Sequence, residues 1–256
     1  MLNVFRAEVG KEFRLLATDP VPILAVVISP LVLVGFAAPV YSHLVHTTSV
    51  GYTGAGFALP GIAAMFALLL VPFGGFSLFR EHGWGTWARL RASKVRMGAV
   101  LAGKLIPWFL VALLQELALP LLAAPIFGVS IRGSFLAYCI ICVLYAAVIA
   151  GLIGLAYSLC TSIYQLNGLG NLGAITLGAL GGAFAPVDRL PTWVQVVAHA
   201  SPAYWVVNAL RSVILDGAGL AQVERDSFIL LGMAIALGVA AAFTFHSEDA
   251  KRSWSN

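Results

Sequence analysis

The chain has 256 residues, 60% of them hydrophobic and only 10% charged, with a formal net charge of +4 and a mean hydropathy of +0.93. A soluble domain carries roughly 25% charged residues, so an ordinary water-soluble fold is excluded; at roughly 20 apolar residues per crossing the length holds six or so membrane helices and no second globular domain. The basic residues cluster beside apolar runs, where they orient helices rather than bind nucleic acid.

In chain order, residues 1–19 place Phe5, Val9, Phe13 and Leu16 at helical spacing, with Arg6, Glu8, Lys11, Glu12 and Arg14 elsewhere around the turn. This pattern predicts an interfacial amphipathic helix ended by Asp19-Pro20; a frayed polar leader is the alternative. The opening lacks the short basic segment and early apolar run of a cleavable signal peptide, so the first crossing is expected to be retained. Six membrane helices are expected at 22–40, 57–79, 105–127, 134–158, 166–185 and 227–246.

The loop after the first expected crossing contains His43 and His46 but no Lys or Arg, whereas the loop at 80–104 contains Arg80, Arg89, Arg91, Lys94, Arg96 and Lys104. The positive-inside rule therefore places the second loop in the cytoplasm. Both termini join it there: eleven basic residues fall on that side, against Arg132, Arg189, Arg211 and Arg225 on the other. His43 and His46 do not complete a metal site and read as solvated. Cys139, Cys142 and Cys160 lie in apolar stretches with no acid or base to activate a thiol, which argues against redox or metal chemistry.

Segment 190–215 is apolar enough for a seventh crossing but is interrupted by Pro191, His199, Ser201-Pro202, Asn208 and Arg211. Each half is too short to cross and Pro202 would kink a continuous helix, so the favoured reading is a re-entrant hairpin dipping in from the outside. Trp193, Tyr204 and Trp205 suit an outer interfacial belt.

Three groups of residues could carry chemistry. In the stretch from Arg80 to Ser93, Gly83 and Gly85 permit a bend, Thr86 can cap a following helix, and that helix presents Arg89 and Arg91 beside Leu90. A loop of this kind either docks a partner or merely holds lipid headgroups. Glu116, next to Gln115 midway through the third expected crossing, is costly to bury; it lines a substrate route, takes a proton, or is a structural carboxyl. Asn167 and Asn171 share an expected helix face with Ala174, Gly178 and Gly182, a surface for close helix packing or a polar lining for a path. Small residues in the fourth crossing, among them Gly151 and Gly154, read as packing.

Glu81, then Gly85-Thr86, then Arg89-Leu90-Arg91-Ala92-Ser93 resembles the cytosolic loop of ABC-2 type permeases, the membrane subunits of one class of ABC exporter. Gly181-Gly182, Phe184, Pro186, Leu190-Pro191, Trp193, Ser201-Pro202, Trp205 and Ala209-Leu210-Arg211 are similar to the family's segment from the fifth crossing into its outer hairpin, and the opening helix with Pro30 agrees. Lys94 departs from the pattern, where proline is frequent.

The resemblance implies an all-α membrane domain over residues 1–256: interfacial helix at 1–19, ATPase-coupling loop at 80–97 carrying Glu81, Gly85, Thr86, Arg89, Leu90 and Arg91, and re-entrant hairpin at 190–215 with Pro191, Trp193, Pro202, Trp205 and Arg211. It raises the path reading for Asn167 and Asn171, because the family's fifth crossing borders the central cavity; Gln115 and Glu116 stay candidate path residues on the cost of burying an acid alone. The chain has no GxxxxGK[ST] phosphate loop, so ATP and Mg are expected in a separate cytoplasmic ATPase, two copies of it, acting with a second permease that is identical or paralogous. The expected activity is export of a drug, antibiotic or lipid-like molecule across a bacterial plasma membrane. An intramembrane enzyme lacks its nucleophile or carboxylate cluster in this sequence; a passive channel or scaffold is the other class left open.

Overall fold

A run of Leu, Val, Ile and Ala broken by prolines gives helices whose ends are set by Pro, Gly and capping hydroxyls. The computed structural model describes residues 2–46, 53–92 and 97–245, and every regular element among them is helical. The first helix, α1 (Leu2–Thr18), stops at Asp19-Pro20, and the Asp19 carboxylate accepts the Val21 amide at 3.3 Å to start α2 (Val21–His46). The side chains of His43 and His46 lie outside the described residues.

The expected crossing at 57–79 is two helices in line, α3 (Gly54–Leu68) and α4 (Leu70–Gly83). Pro72 has no N–H for the Leu68 carbonyl, and the break falls one residue after Leu68. A seven-residue helix, α5 (Thr86–Ala92), follows. Then α6 (Met97–Phe127), 31 residues and about 46 Å long at 1.5 Å per residue, exceeds an apolar layer of about 30 Å, so it either tilts or extends beyond that layer.

The centre of the bundle is α7 (Phe135–Leu159), whose Tyr145, Ile149 and Ile153 are fully buried. Lipid is as apolar as leucine, so what holds helices together here is close backbone approach and interhelical hydrogen bonding. Gly151 and Gly154 of α7 bring α11 (Glu224–Thr244) in so closely that an added Cβ would stand 2.9 Å from Leu237 and 3.2 Å from Ala241. The Tyr145 hydroxyl donates to the Ala64 carbonyl at 2.8 Å. Outside this core, α2 turns Val21, Leu24, Ile28, Val32, Phe36 and Val40 away from the chain.

Among the described residues, five helical stretches are long and apolar enough to cross a membrane: Val21–Ser42, Gly54–Gly83, Met97–Phe127, Phe135–Leu159 and Ala221–Thr244. They match five of the six expected crossings. The sixth, expected at 166–185, is α8 (Ile163–Leu180), whose Gln165, Asn167 and Asn171 keep it out of that set. It nonetheless runs antiparallel beside α3 and α4: Leu166 lies against Gly75, Gly170 against Pro72, Gly178 against Met65, and Ala183 against Gly61.

Segment 190–215 is a pair of helices, α9 (Thr192–Ala198) and α10 (Pro202–Ile214), about 10 and 20 Å long and each too short to cross. Pro202 opens α10 rather than kinking one long helix, and Ser201 caps it by accepting the Ala203 amide while donating to the Leu177 carbonyl at 2.7 Å.

Candidate functional site

At the end of the bundle that carries α5, the last turn of α4 brings Arg80, Glu81 and His82 beneath the following bend. Gly85 takes φ +66° there, a conformation that costs a Cβ-bearing residue about 1–2 kcal/mol. Its α-hydrogen faces open space, so the need for glycine is conformational rather than steric. The expected helix cap is absent: Thr86 is the first residue of α5, and its hydroxyl donates to the Glu81 carboxylate instead.

Glu81 is wholly buried, and what surrounds it comes from three helices. One turn apart on α1, Glu8 and Glu12 face α4 and α6, and Lys104 enters from α6 with no exposed surface. The Lys104 ammonium lies 2.6 Å from Glu12, 2.8 Å from Glu81 and 3.9 Å from Glu8. Arg80 reaches both Glu12 oxygens at 3.0 and 3.2 Å, and Lys11 bonds Glu81 at 2.5 Å. Three carboxylates thus meet three cations, and the cluster is neutral as a whole. Glu8, Glu12 and Glu81 stand close enough together to hold a metal ion, but the Lys104 ammonium already occupies the space between Glu12 and Glu81.

A buried network of this kind contributes little net stability compared with apolar packing, yet removing one member leaves an uncompensated charge at a cost of about 3–5 kcal/mol. Its effect is to make α1, α4, α6 and, through Thr86, the start of α5 move together. The opposite side of α5 is held by Trp87, buried against His82, Tyr157 and Phe245 at ring separations of 4.6, 6.3 and 6.2 Å. His82 and the Tyr157 hydroxyl are 2.8 Å apart. Ala88 and Arg89 face outward, Leu90 is half-buried, and Trp84 is 50% exposed with the Arg80 guanidinium 5.0 Å from its ring centre. The Arg91 side chain and residues 93–96, Lys94 among them, lie outside the described residues.

The other expected positions do not converge. Gln115 and Glu116 are buried in α6. The Gln115 amide donates to the Ala63 carbonyl at 3.0 Å, and both carboxylate oxygens of Glu116 lack a partner among the described residues. Pro120 has no N–H for the Glu116 carbonyl four residues back, and the Tyr138 hydroxyl supplies the missing hydrogen at 2.5 Å. Asn167 and Asn171 are on the exposed side of α8, where the Asn171 amide donates to the Asn167 carbonyl at 2.8 Å. Ala174 and Gly178, within about 60° of Asn171 round the helix, pack inward farther along α8, so the expected face is exposed at its Asn167–Asn171 end and packed at its Ala174–Gly178 end.

In the paired helices, Pro191 and Trp193 are exposed, while Trp205 is buried and its indole N–H donates to the His199 carbonyl at 2.9 Å. Arg211 ties α10 to α3 and α8 through the Phe57 and Gly182 carbonyls.

Sequence reasoning missed Lys104, Glu8 and Glu12, which it counted as orientation charges or as a solvated helix face, and Trp84 and Trp87, which it did not single out. The available signal was that acids and bases occur in equal number among Glu8, Lys11, Glu12, Arg80, Glu81 and Lys104, at ends of helices that a hairpin brings together.

A family model described as "ABC-2 type transporter" matches residues 3–215. Among curated proteins, the chain is 25% identical over 175 residues to the linearmycin resistance permease protein LnrN of Bacillus subtilis, covering 68% of this chain and 45% of that protein. It is 24% identical over 195 residues to the probable multidrug ABC transporter permease YbhR of Escherichia coli, covering 75% and 52%. To YbhS of the same organism, a probable multidrug ABC transporter permease, identity is 27% over 165 residues, 63% of this chain and 43% of that one. The matched region spans about half the length of these relatives.

Proposed function

The chain belongs to the ABC-2 type transporter family, and from that premise we propose that it is the permease subunit of an ATP-driven exporter that moves a hydrophobic or amphipathic molecule, of drug, antibiotic or lipid-like class, out of a bacterial cell. The observation that carries this reading is α5: a short helix braced from behind by Glu81 and Trp87 while Ala88 and Arg89 face outward. A brace of this kind converts a push on α5 into motion of α1, α4 and α6 as a unit. A topology loop that only held lipid headgroups would need no buried ion network behind it.

In this reading α5 faces the cytoplasm, where a separate ATPase, two copies of it with their ATP and Mg, docks on Arg89, Leu90 and Arg91. Closure of the ATPase pair pushes α5, the network carries the push to α1 and α6, and the angle between two permeases changes. The run of α8 beside α3 and α4 supports a sixth crossing. Its exposed Asn167 and Asn171 are poor neighbours for lipid, because unpaired amides in hydrocarbon are costly. They fit a face turned to the path or to the second permease. With six crossings both termini are cytoplasmic, and α9 and α10 form a re-entrant pair at the outer side. Relatives named a linearmycin resistance permease protein and a probable multidrug ABC transporter permease support the substrate class.

The test is the double variant R89E/R91E, reconstituted with an ABC ATPase that co-purifies with the unaltered chain. Assembly is expected to persist while transport and substrate-stimulated ATP turnover are lost; undiminished stimulation would overturn the assignment of α5.

A further inference from the structure

At the end of the bundle opposite α5, a cleft of about 550 Å³ opens between α3, the 3-10 turn Val187–Arg189, α9 and α10. This is within the usual range for small-ligand sites, about 300–1,000 Å³. Arg211 forms part of its wall. The guanidinium spends Nε on the Phe57 carbonyl at 3.1 Å and Nη2 on the Gly182 carbonyl at 3.0 Å, and stacks 3.9 Å from the Phe57 ring centre. No carboxylate lies within ion-pair distance of it among the described residues. Enclosed charges are normally paired, because an unpaired one loses its hydration without return. Burial pulls the guanidinium down to about 10, with Tyr41 and Asp188 acting the other way, so it remains a cation at neutral pH.

Besides Arg211 the cleft is lined by side chains with no hydrogen bond of their own among the described residues, the Tyr204 hydroxyl, the Asn208 amide, the Ser212 hydroxyl and the exposed Arg189, with Asp188 and Asp216 also on its wall. We propose that this cleft is a phosphate site, in which Arg211 Nη1, Arg189, Asn208, Tyr204 and Ser212 surround the oxygens of a phosphate group carried by a lipid headgroup or free in solution. Donors from five side chains suit the three or four oxygens of phosphate better than the two of a carboxylate. Asp188, exposed on the same wall, acts on Arg211 only through space and is placed to meet a cationic group attached to the phosphate.

The test uses the full chain, purified in a neutral detergent and phosphate-free buffer, in two arms. Titration calorimetry with inorganic phosphate measures a free ligand, and native mass spectrometry measures phospholipid retained through purification. The variant Asn208→Leu fills the cleft without removing a structural bond, and its thermal midpoint is checked against the unaltered chain. The expected result is saturable phosphate binding, or one retained phospholipid per chain, with affinity or retention falling about tenfold in Asn208→Leu, the size of one hydrogen bond to a charged group. The first alone identifies a free ligand and the second alone a headgroup. Absence of both, or binding unaffected in Asn208→Leu, would overturn the proposal.

Discussion

Replacing Lys104 with methionine removes the one cation that touches Glu12 and Glu81 at once, at 2.6 and 2.8 Å. Glu8, Glu12 and Glu81 would then face only Lys11 and Arg80, and one buried carboxylate would be uncompensated. The cost is about 3–5 kcal/mol. At roughly 2–4 °C per kcal/mol for a chain of this size, the thermal midpoint in detergent should fall by roughly 10 °C. Glu12→Gln should cost a similar amount, since it weakens the acceptor of both Arg80 and Lys104. The pair Lys104→Met with Glu12→Gln leaves two acids opposite two bases and restores neutrality. The double variant should therefore be more stable than the sum of the singles by about 0.5–3 kcal/mol. Melting curves of the four proteins decide it: simple additivity, or an unchanged midpoint in Lys104→Met, would refute the view that these residues act as one network.

Two further outcomes are expected. Gly85→Ala should lower stability by about 1–2 kcal/mol and reduce coupled ATP turnover, whereas Gly85→Asn should be milder, because asparagine tolerates positive φ and nothing crowds the position; equal effects of the two would argue against a conformational cause. Tyr138→Phe should cost about 1–3 kcal/mol, measured as a fall in thermal midpoint, by leaving the Glu116 carbonyl without a donor beside Pro120.

Much of the fold was readable because membrane helices announce themselves by length and hydropathy, and because prolines and charges mark their ends. The short helix at 86–92 was legible from Gly85, Thr86 and the arginines, and the paired helices at 190–215 from Pro191 and Ser201-Pro202. What faces what was not. Glu12 and Lys104 are 92 residues apart, and no local pattern separates a carboxylate that meets a buried ammonium from one on a wet helix face. The same limit applies to α8, where one side of the helix is exposed at Asn167 and Asn171 and packed at Ala174 and Gly178. Glu116 was correctly noticed as costly, and it is buried in α6.

In the proposed function, α5 is where the ATPase meets this chain. A photo-crosslinking amino acid placed at Arg89, and for comparison at Trp193 in the opposite helical pair, tests it in membranes that contain the partner ATPase. Both positions are exposed. The expected result is a covalent adduct with the ATPase from position 89 and none from position 193. An adduct from position 193 and none from position 89 would contradict it.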